Sequence, residues 1–405
     1  MPFFFFTLGF TNAFTGSAIF PLPLIILILY TVWGIVSRNK KMNQIPLGYY
    51  FSKILFVFFI ILFTSFFLQV QRIGLHKLTL NHMLSFLIIP IFFSLTLFNL
   101  LLYEVKIEKI TKWIFYGVLF VSLFTILEFI FKNFTGIDFD HYIPRPDANR
   151  EFDALYNTGF GLYYRSRGLT SESGHNALYL LTFLPLSIYY IKKRVLKRKI
   201  FLFITIISMI TTFSSAATFE AIFVSAFLFL LYTVYNYNEI RLEIKTLMFF
   251  LLSSIIIFVL IVSSDILMNI NSIFSNVFAK MNVGTSNSSL DRLARWSNTL
   301  ELVDSNYFFG SGPGISSLIN GTGSTNFYLE MFVETGILGF SFLMLFITHY
   351  VKKVFLIKSD LKYYLIFSLS ILIVHYIIIA DYWYPWFWVI LALINYVFIL
   401  ERNET

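Results

Sequence analysis

MLSFLIIPIFFSLTLFNLLLY, Met83–Tyr103, runs for 21 residues without a charge. About 20 apolar residues rising 1.5 Å each are what a hydrocarbon core of roughly 30 Å requires. Lipid offers backbone N–H and C=O groups no partner, so a stretch this long predicts a transmembrane helix that closes its own hydrogen bonds. Nothing in the chain shows the alternating pattern of a membrane barrel strand.

Ten more stretches of this kind lie outward from it, at residues 18–36, 51–70, 111–131, 174–191, 199–216, 217–235, 246–264, 324–348, 363–380 and 384–400. The composition agrees: of 405 residues, 58% are hydrophobic and 13% charged, against roughly 25% charged in soluble domains. The mean hydropathy is +0.76. The sequence predicts an all-α, polytopic integral membrane protein with about 11 transmembrane helices, within a range of 10–12. It divides into N-terminal helices (1–131), a first exported loop (132–173), central helices (174–264), a second exported loop (265–323) and C-terminal helices (324–405).

Short loops rich in Lys and Arg stay in the cytoplasm. Alternate connections carry Arg38, Lys40, Lys41 and Lys53, then Lys106, Lys109 and Lys112, then Lys192, Lys193, Arg194, Lys197, Arg198 and Lys199, then Arg241 and Lys245, then Lys352, Lys353, Lys358 and Lys362, and last Arg402, in all 20 of the 30 basic residues. That face is expected to be cytoplasmic, in a bacterial inner membrane, with both long loops exported. The net charge of +8 is largely this set and gives no ground for a nucleic-acid partner. With no cysteine and no His-x-x-x-His among six histidines, the spacing points to no cofactor and no metal. The opening Met1-Pro2-Phe3-Phe4-Phe5-Phe6 lacks the basic start of a signal peptide, so the first span is expected to be retained. Residues 3–14 are too few to cross and remain unassigned.

The exported loops carry the chemistry. The first holds Asp138, Asp140, His141, Arg145, Asp147, Arg150 and several tyrosines, then Arg165-Ser-Arg167-Gly-Leu-Thr-Ser-Glu172 and His175. Aromatic faces with scattered carboxylates suit sugars, although tyrosines also anchor at the lipid headgroups. Ionisable groups at the membrane surface are costly, so Arg165, Arg167, Glu172 and His175 read as a functional site before a structural ion pair. The second loop contains Asp291-Arg292-Leu-Ala-Arg295-Trp296, predicted as an amphipathic helix. Arg292 and Arg295 share one face, and Leu293, Trp296, Leu300 and Val303 mark an apolar one. Phe309-Gly310-Ser-Gly312-Pro-Gly314 has the glycine content of a phosphate cradle, but also that of a flexible turn.

This order of features resembles the bacterial O-antigen polymerase (Wzy-type) and O-antigen ligase superfamily, over about residues 110–350. Arg165-Ser-Arg167-Gly168 followed by Glu172 is similar to the family's arginine motif, without its proline. Arg292 and Trp296, Gly310-Ser-Gly312, Asn326-Phe-Tyr328-Leu329 and Glu334-Thr-Gly336 match later motifs in order. Ligase-like members place a histidine before the asparagine, where this chain has Thr325. That departure favours polymerase over ligase.

The resemblance implies a metal-independent membrane glycosyltransferase that polymerises polyprenyl-diphosphate-linked oligosaccharide repeat units into O-antigen, capsule or exopolysaccharide. Membrane lipid, a chain-length regulator and a flippase would be its partners. Arg165, Arg167 and Arg292 would hold the diphosphate and stabilise the charge of the leaving group, because guanidinium forks bind phosphate bidentately. Glu172 would serve as base, with His175 the second candidate for that role. His175, Arg295, Gly310, Gly312, Asn326 and Tyr328 would bind substrate. A ligase acting on lipid A core is the nearest rival; a lipid-linked oligosaccharide flippase is a rival of another class, though no internal repeat supports it.

Overall fold

The computed structural model describes residues 1–11, 13–14, 21–37, 52–143, 145, 156–157, 162–235, 287–303 and 306–403. Within these, ten of the eleven expected spans are helical; the one at 246–264 lies outside the described residues. The helices are α1 (Pro2–Phe6), α2 (Leu22–Ser37), α3 (Lys53–Ile73), α4 (Lys77–Tyr103), α5 (Ile107–Ile130), α6 (Ser173–Ile191), α7 (Val195–Thr211), α8 (Ser215–Tyr235), α9 (Asn287–Leu300), α10 (Ile315–Asn320), α11 (Phe327–Leu356), α12 (Leu361–His375) and α13 (Pro385–Asn403). Two-residue strands, Tyr156–Asn157 and Leu162–Tyr163, pair antiparallel, Tyr156 opposite Tyr163.

Among the described residues, five helices are long and apolar enough to cross a membrane: α3, α4, α5 with its π-turn extension to Thr135, α11 and α13. This narrows the expectation of eleven. Helices α2, α7 and α12 have only 16, 17 and 15 residues, and α6 carries His175, Asn176, Thr182 and Ser187 on buried positions. Such helices owe their place to packing against neighbours as much as to lipid.

Helix α13 is the axis. Every residue from Pro385 to Val397 is buried, which explains why this stretch has no polar face. Around it, α4 and α11 pack on α13, α3 on α11, α6 on α5 and α12, and α7 on α5. Residues 1–9, left unassigned in sequence, insert into this core as α1 and a 3-10 turn. Phe4, Phe5 and Leu8 are fully buried, Trp386 Nε1 donates to Leu8 O (2.8 Å), and Gly117 lets the backbone of Phe6 approach α5 closely.

The bundle has two chemically different ends. At one, Lys353 Nζ donates to Asn395 Oδ1 (2.8 Å), Lys192 Nζ meets Asp360 Oδ2 (3.3 Å) and Tyr396 OH donates to Val105 O (2.9 Å). This end gathers connections that the sequence reading assigned to the basic face. The opposite end gathers the C-terminus of α3, the N-termini of α4, α6, α11 and α13, and the described parts of both long loops. The conspicuous buried ionic clusters lie there.

Candidate functional site

Three polar clusters stand out among the described residues of the loop end, beside a buried His375 Nδ1–Glu220 Oε1 pair (2.7 Å). The first is built on Glu128, a carboxylate in the last turn of α5. Its Oε1 accepts from Arg145 Nη1 (2.8 Å), and its Oε2 accepts the backbone N–H groups of Arg167 (2.9 Å) and Gly168 (2.7 Å). Asp140 bridges Arg145 and Arg167, Arg145 also donates to Gly168 O, and Arg167 Nη1 donates to Ser171 O (3.3 Å). Burial opposes the charge on Arg145, but Glu128 and Asp140 hold its pKa above the ordinary arginine value. Burial likewise works against Asp138, yet the Asp140 N–H and the Lys132 ammonium keep its carboxyl below the usual range. Gly168 has φ +59°, and a Cβ there would meet the Asn176 side chain at 2.7 Å, so the turn that presents Arg167 requires glycine.

Arg167, expected to grip substrate, is therefore only 3% exposed and engaged inside the protein. It braces the loop, and its proposed catalytic role is corrected to a positioning one. The network gives a prediction. Glu128→Gln puts an NH2 donor against either Arg145 or the two backbone amides and leaves the Arg145 charge short of a partner. Unfolding free energy should fall by about 3–5 kcal/mol, read as a lower melting temperature in nanodiscs; an unchanged melt would show the network to be energetically idle.

The second cluster surrounds His175, one turn into α6. Its Nε2 lies 2.5 Å from Asp381 Oδ2. Its Nδ1 faces Ser171 Oγ (3.2 Å) and Tyr384 OH (3.1 Å), which are 2.8 Å from each other. Asp381 and Tyr384 belong to the Asp381-Tyr382-Trp383-Tyr384 link before α13, pinned where Trp388 Nε1 donates to Tyr382 O (2.6 Å). Glu172 sits at the N-cap position of α6, half-buried, its carboxylate making no capping hydrogen bond. Arg165, also half-buried, is oriented by Nε donating to Thr212 O (3.0 Å).

The third cluster stands at the start of α11, where Glu330 and Glu334 meet His82 of α4. His82 Nδ1 is 3.1 Å from Glu334 Oε1, and Nε2 is 4.0 Å from Glu330 Oε1. Tyr382 stacks on the His82 ring (5.9 Å between centroids), which joins this cluster to the second.

Beside it runs the glycine loop. Gly310 N donates to Asn306 O (2.8 Å), Ser311 N to Val333 O (2.8 Å), Gly312 N to Glu334 O (3.1 Å) and Gly314 N to Glu334 Oε1 (2.8 Å). Of the two readings of Gly310–Gly314, the turn is the one seen: the Ser311, Gly312 and Gly314 amides point at α11, which is broken at Gly336 (φ 65°, ψ −174°). Gly310 and Gly312 serve a close backbone approach, a Cβ on Gly310 falling 2.4 Å from Glu334 O. Asn326 and Tyr328 are likewise committed internally. Asn326 Oδ1 caps α11 by accepting Leu329 N–H (3.0 Å), and Tyr328 OH donates to Ile373 O (2.9 Å).

Helix α9 packs on α10 and α11. Arg292, Arg295 and Trp296 are half-buried and Thr299 fully buried, whereas Leu293 and Leu300 are exposed. Both arginines do share a face, but it is the one turned toward the protein. Trp296 Nε1 and Thr299 Oγ1 on that stripe are buried and have no hydrogen-bond partner among the described residues. Beside a bilayer the outward face can be apolar, so leucine does not mark the inside.

The residues to which sequence reasoning gave no role are Glu128, Ser171, Asp381 and Tyr384, together with His82, Glu330 and Glu334, the last quoted only within the Glu334-Thr-Gly336 motif. Three carried a signal: Glu128, Glu330 and Glu334 lie within predicted spans, where an ionisable group marks a pairing or a function. Asp381 and His82 fall just outside span boundaries and carried none.

Compared with known proteins, residues 200–344 match the O-antigen ligase family model. The match runs from α7 through α9 and the glycine loop into α11, and bears out the resemblance to the O-antigen ligase and polymerase superfamily. Together with five helices long and apolar enough to cross a membrane among the described residues, it points to O-antigen-related glycan processing in a multi-pass membrane protein. No curated protein matches the chain.

Proposed function

We propose that the protein polymerises oligosaccharide repeat units carried on a polyprenyl diphosphate, at the outer face of the bacterial cytoplasmic membrane. The observation that carries this reading is the family match over the stretch holding both α9 arginines, whose shared face turns inward beside the buried Trp296 Nε1 and Thr299 Oγ1, which have no hydrogen-bond partner among the described residues.

In the reaction, a hydroxyl of the acceptor sugar attacks the anomeric carbon of the donor glycan. The new glycosidic C–O bond forms as the bond to the diphosphate breaks, the lipid diphosphate leaves, and the hydroxyl proton passes to a base. Arg292 and Arg295, three residues apart on one face, bind the diphosphate oxygens and stabilise the charge that grows on them. Arg165, oriented by Thr212, supplies the third guanidinium. Glu172 is the base: it is half-buried, stands at the mouth of α6, and its carboxylate makes no capping bond. His175, held by Asp381, stands one turn away and orients the acceptor. Membrane lipid, a flippase delivering the donor and a chain-length regulator complete the setting.

Thr325 stands where ligase-like members carry histidine, which favours polymerase over ligase. The test is the purified protein in nanodiscs with a radiolabelled lipid-linked repeat unit and no other acceptor. A ladder of chains is expected; label that moves only when lipid A core is added would overturn polymerase in favour of ligase. Glu172→Gln should slow the ladder about 100-fold without shifting the melting temperature, and full activity in that variant would remove Glu172 as base.

A further inference from the structure

The glycosyl-transfer reading leaves His82, Glu330 and Glu334 unused. Two carboxylates four residues apart on α11 share a helix face, and both side chains are buried, at 4% and 0% exposure. His82 reaches them from α4 with its side chain 15% exposed, so the group is open on one side. One donor atom from each residue lies within 4.8 Å of the others.

Charge makes this arrangement informative. Among the described residues neither carboxylate is paired with a lysine or arginine; His82 is the cationic partner both have. Even a protonated imidazole leaves one negative charge in excess, in a setting where uncompensated charge costs several kcal/mol. A bound cation would neutralise it.

A second observation points the same way. Glu334 Oε2 and the hydroxyl of the fully buried Tyr382, whose ring lies over His82, have no hydrogen-bond partner among the described residues. The carboxylates are also supported from behind. Gly314 N donates to Glu334 Oε1 (2.8 Å) and Ser324 Oγ to Glu330 Oε2 (3.1 Å), as outer hydrogen bonds do around metal ligands.

We propose that His82, Glu330 and Glu334 bind one divalent first-row cation, tying α4 to the first turns of α11 beside the glycine loop. One imidazole with two carboxylates is a borderline-to-hard donor set that suits Mn²⁺ or Zn²⁺. Metal–donor bonds of about 2.1 Å hold neighbouring ligands of one ion about 3.4 Å apart in a tetrahedral site, so donors that now lie within 4.8 Å of one another close by about an ångström on binding. Chain spacing could not anticipate such a site, because its ligands come from opposite ends of the sequence.

The test uses the full chain in nanodiscs, stripped with chelator and dialysed against Mn²⁺, with bound metal read by elemental analysis and Mn²⁺ resonance. About one Mn²⁺ per chain is expected, and Glu334→Gln and His82→Ala should each weaken binding more than tenfold. Co²⁺ substituted into the wild-type protein should give ligand-field absorption that Glu330→Gln alters, a readout that stands even if the Glu334 variant misfolds. Arg292→Lys should bind Mn²⁺ as the wild type does, which separates this site from the glycosyl-transfer reading. Wild-type protein that retains no more Mn²⁺ or Zn²⁺ than the His82→Ala variant would overturn the proposal and leave a proton as the neutralising charge.

Discussion

Arg292→Lys should reduce polymer formation by on the order of 100-fold while the protein still inserts and folds. The substitution keeps the charge and most of the aliphatic stem, so a half-buried position on α9 tolerates it structurally. It loses the planar fork that engages two phosphate oxygens at once. Removing one preorganised donor from a developing anion costs about 10²–10³ in rate. Arg295→Lys, on the same stripe, should behave alike. Arg167→Lys should differ in kind, because Arg167 is anchored to Asp140 and Ser171, and its loss should appear first in the melting temperature. Rates of label incorporation, normalised to folded protein, separate these cases; wild-type chain lengths at wild-type rates in Arg292→Lys would sink the role assigned to α9.

The second large effect belongs to Gly310→Ala. At φ +77° the new Cβ would sit 2.4 Å from Glu334 O and from Gly336 N, both backbone atoms. Neither can swing aside as a side chain would, so the loop must part from α11 and break its hydrogen bonds there. A loss above about 3 kcal/mol is expected, in the range of the more severe single substitutions. Gly321→Ala is the control: its φ is +73°, but no atom lies within 4 Å of its would-be Cβ, so it should cost about 1–2 kcal/mol. Equal melting temperatures for the two variants would contradict the contact.

The helices were legible in the chain because hydrocarbon imposes a length and an apolarity that few other settings demand. Met83–Tyr103 falls within α4, and ten expected segments are helical. Their status as crossing segments was less legible: α12, at 15 residues, and the polar α6 depend on neighbours that no single stretch reveals. The candidate site was legible in part. Glu172, His175 and the paired α9 arginines stood out as ionisable groups at a membrane surface. The roles of Arg167, Gly310, Gly312, Asn326 and Tyr328 did not, since an arginine that braces a loop and one that grips a phosphate have the same letter. Which face of α9 turns inward was not legible either, since beside lipid leucine is at home outside.

The break in α11 has a consequence for assembly. A helix interrupted at Gly336 leaves carbonyls without their usual i+4 donors, and the amides of Ser311 and Gly312 satisfy those of Val333 and Glu334. Hydrocarbon would not tolerate those oxygens bare. Residues 307–314 and the first half of α11 are therefore held together as one unit by backbone hydrogen bonds, each segment completing the other's pairing.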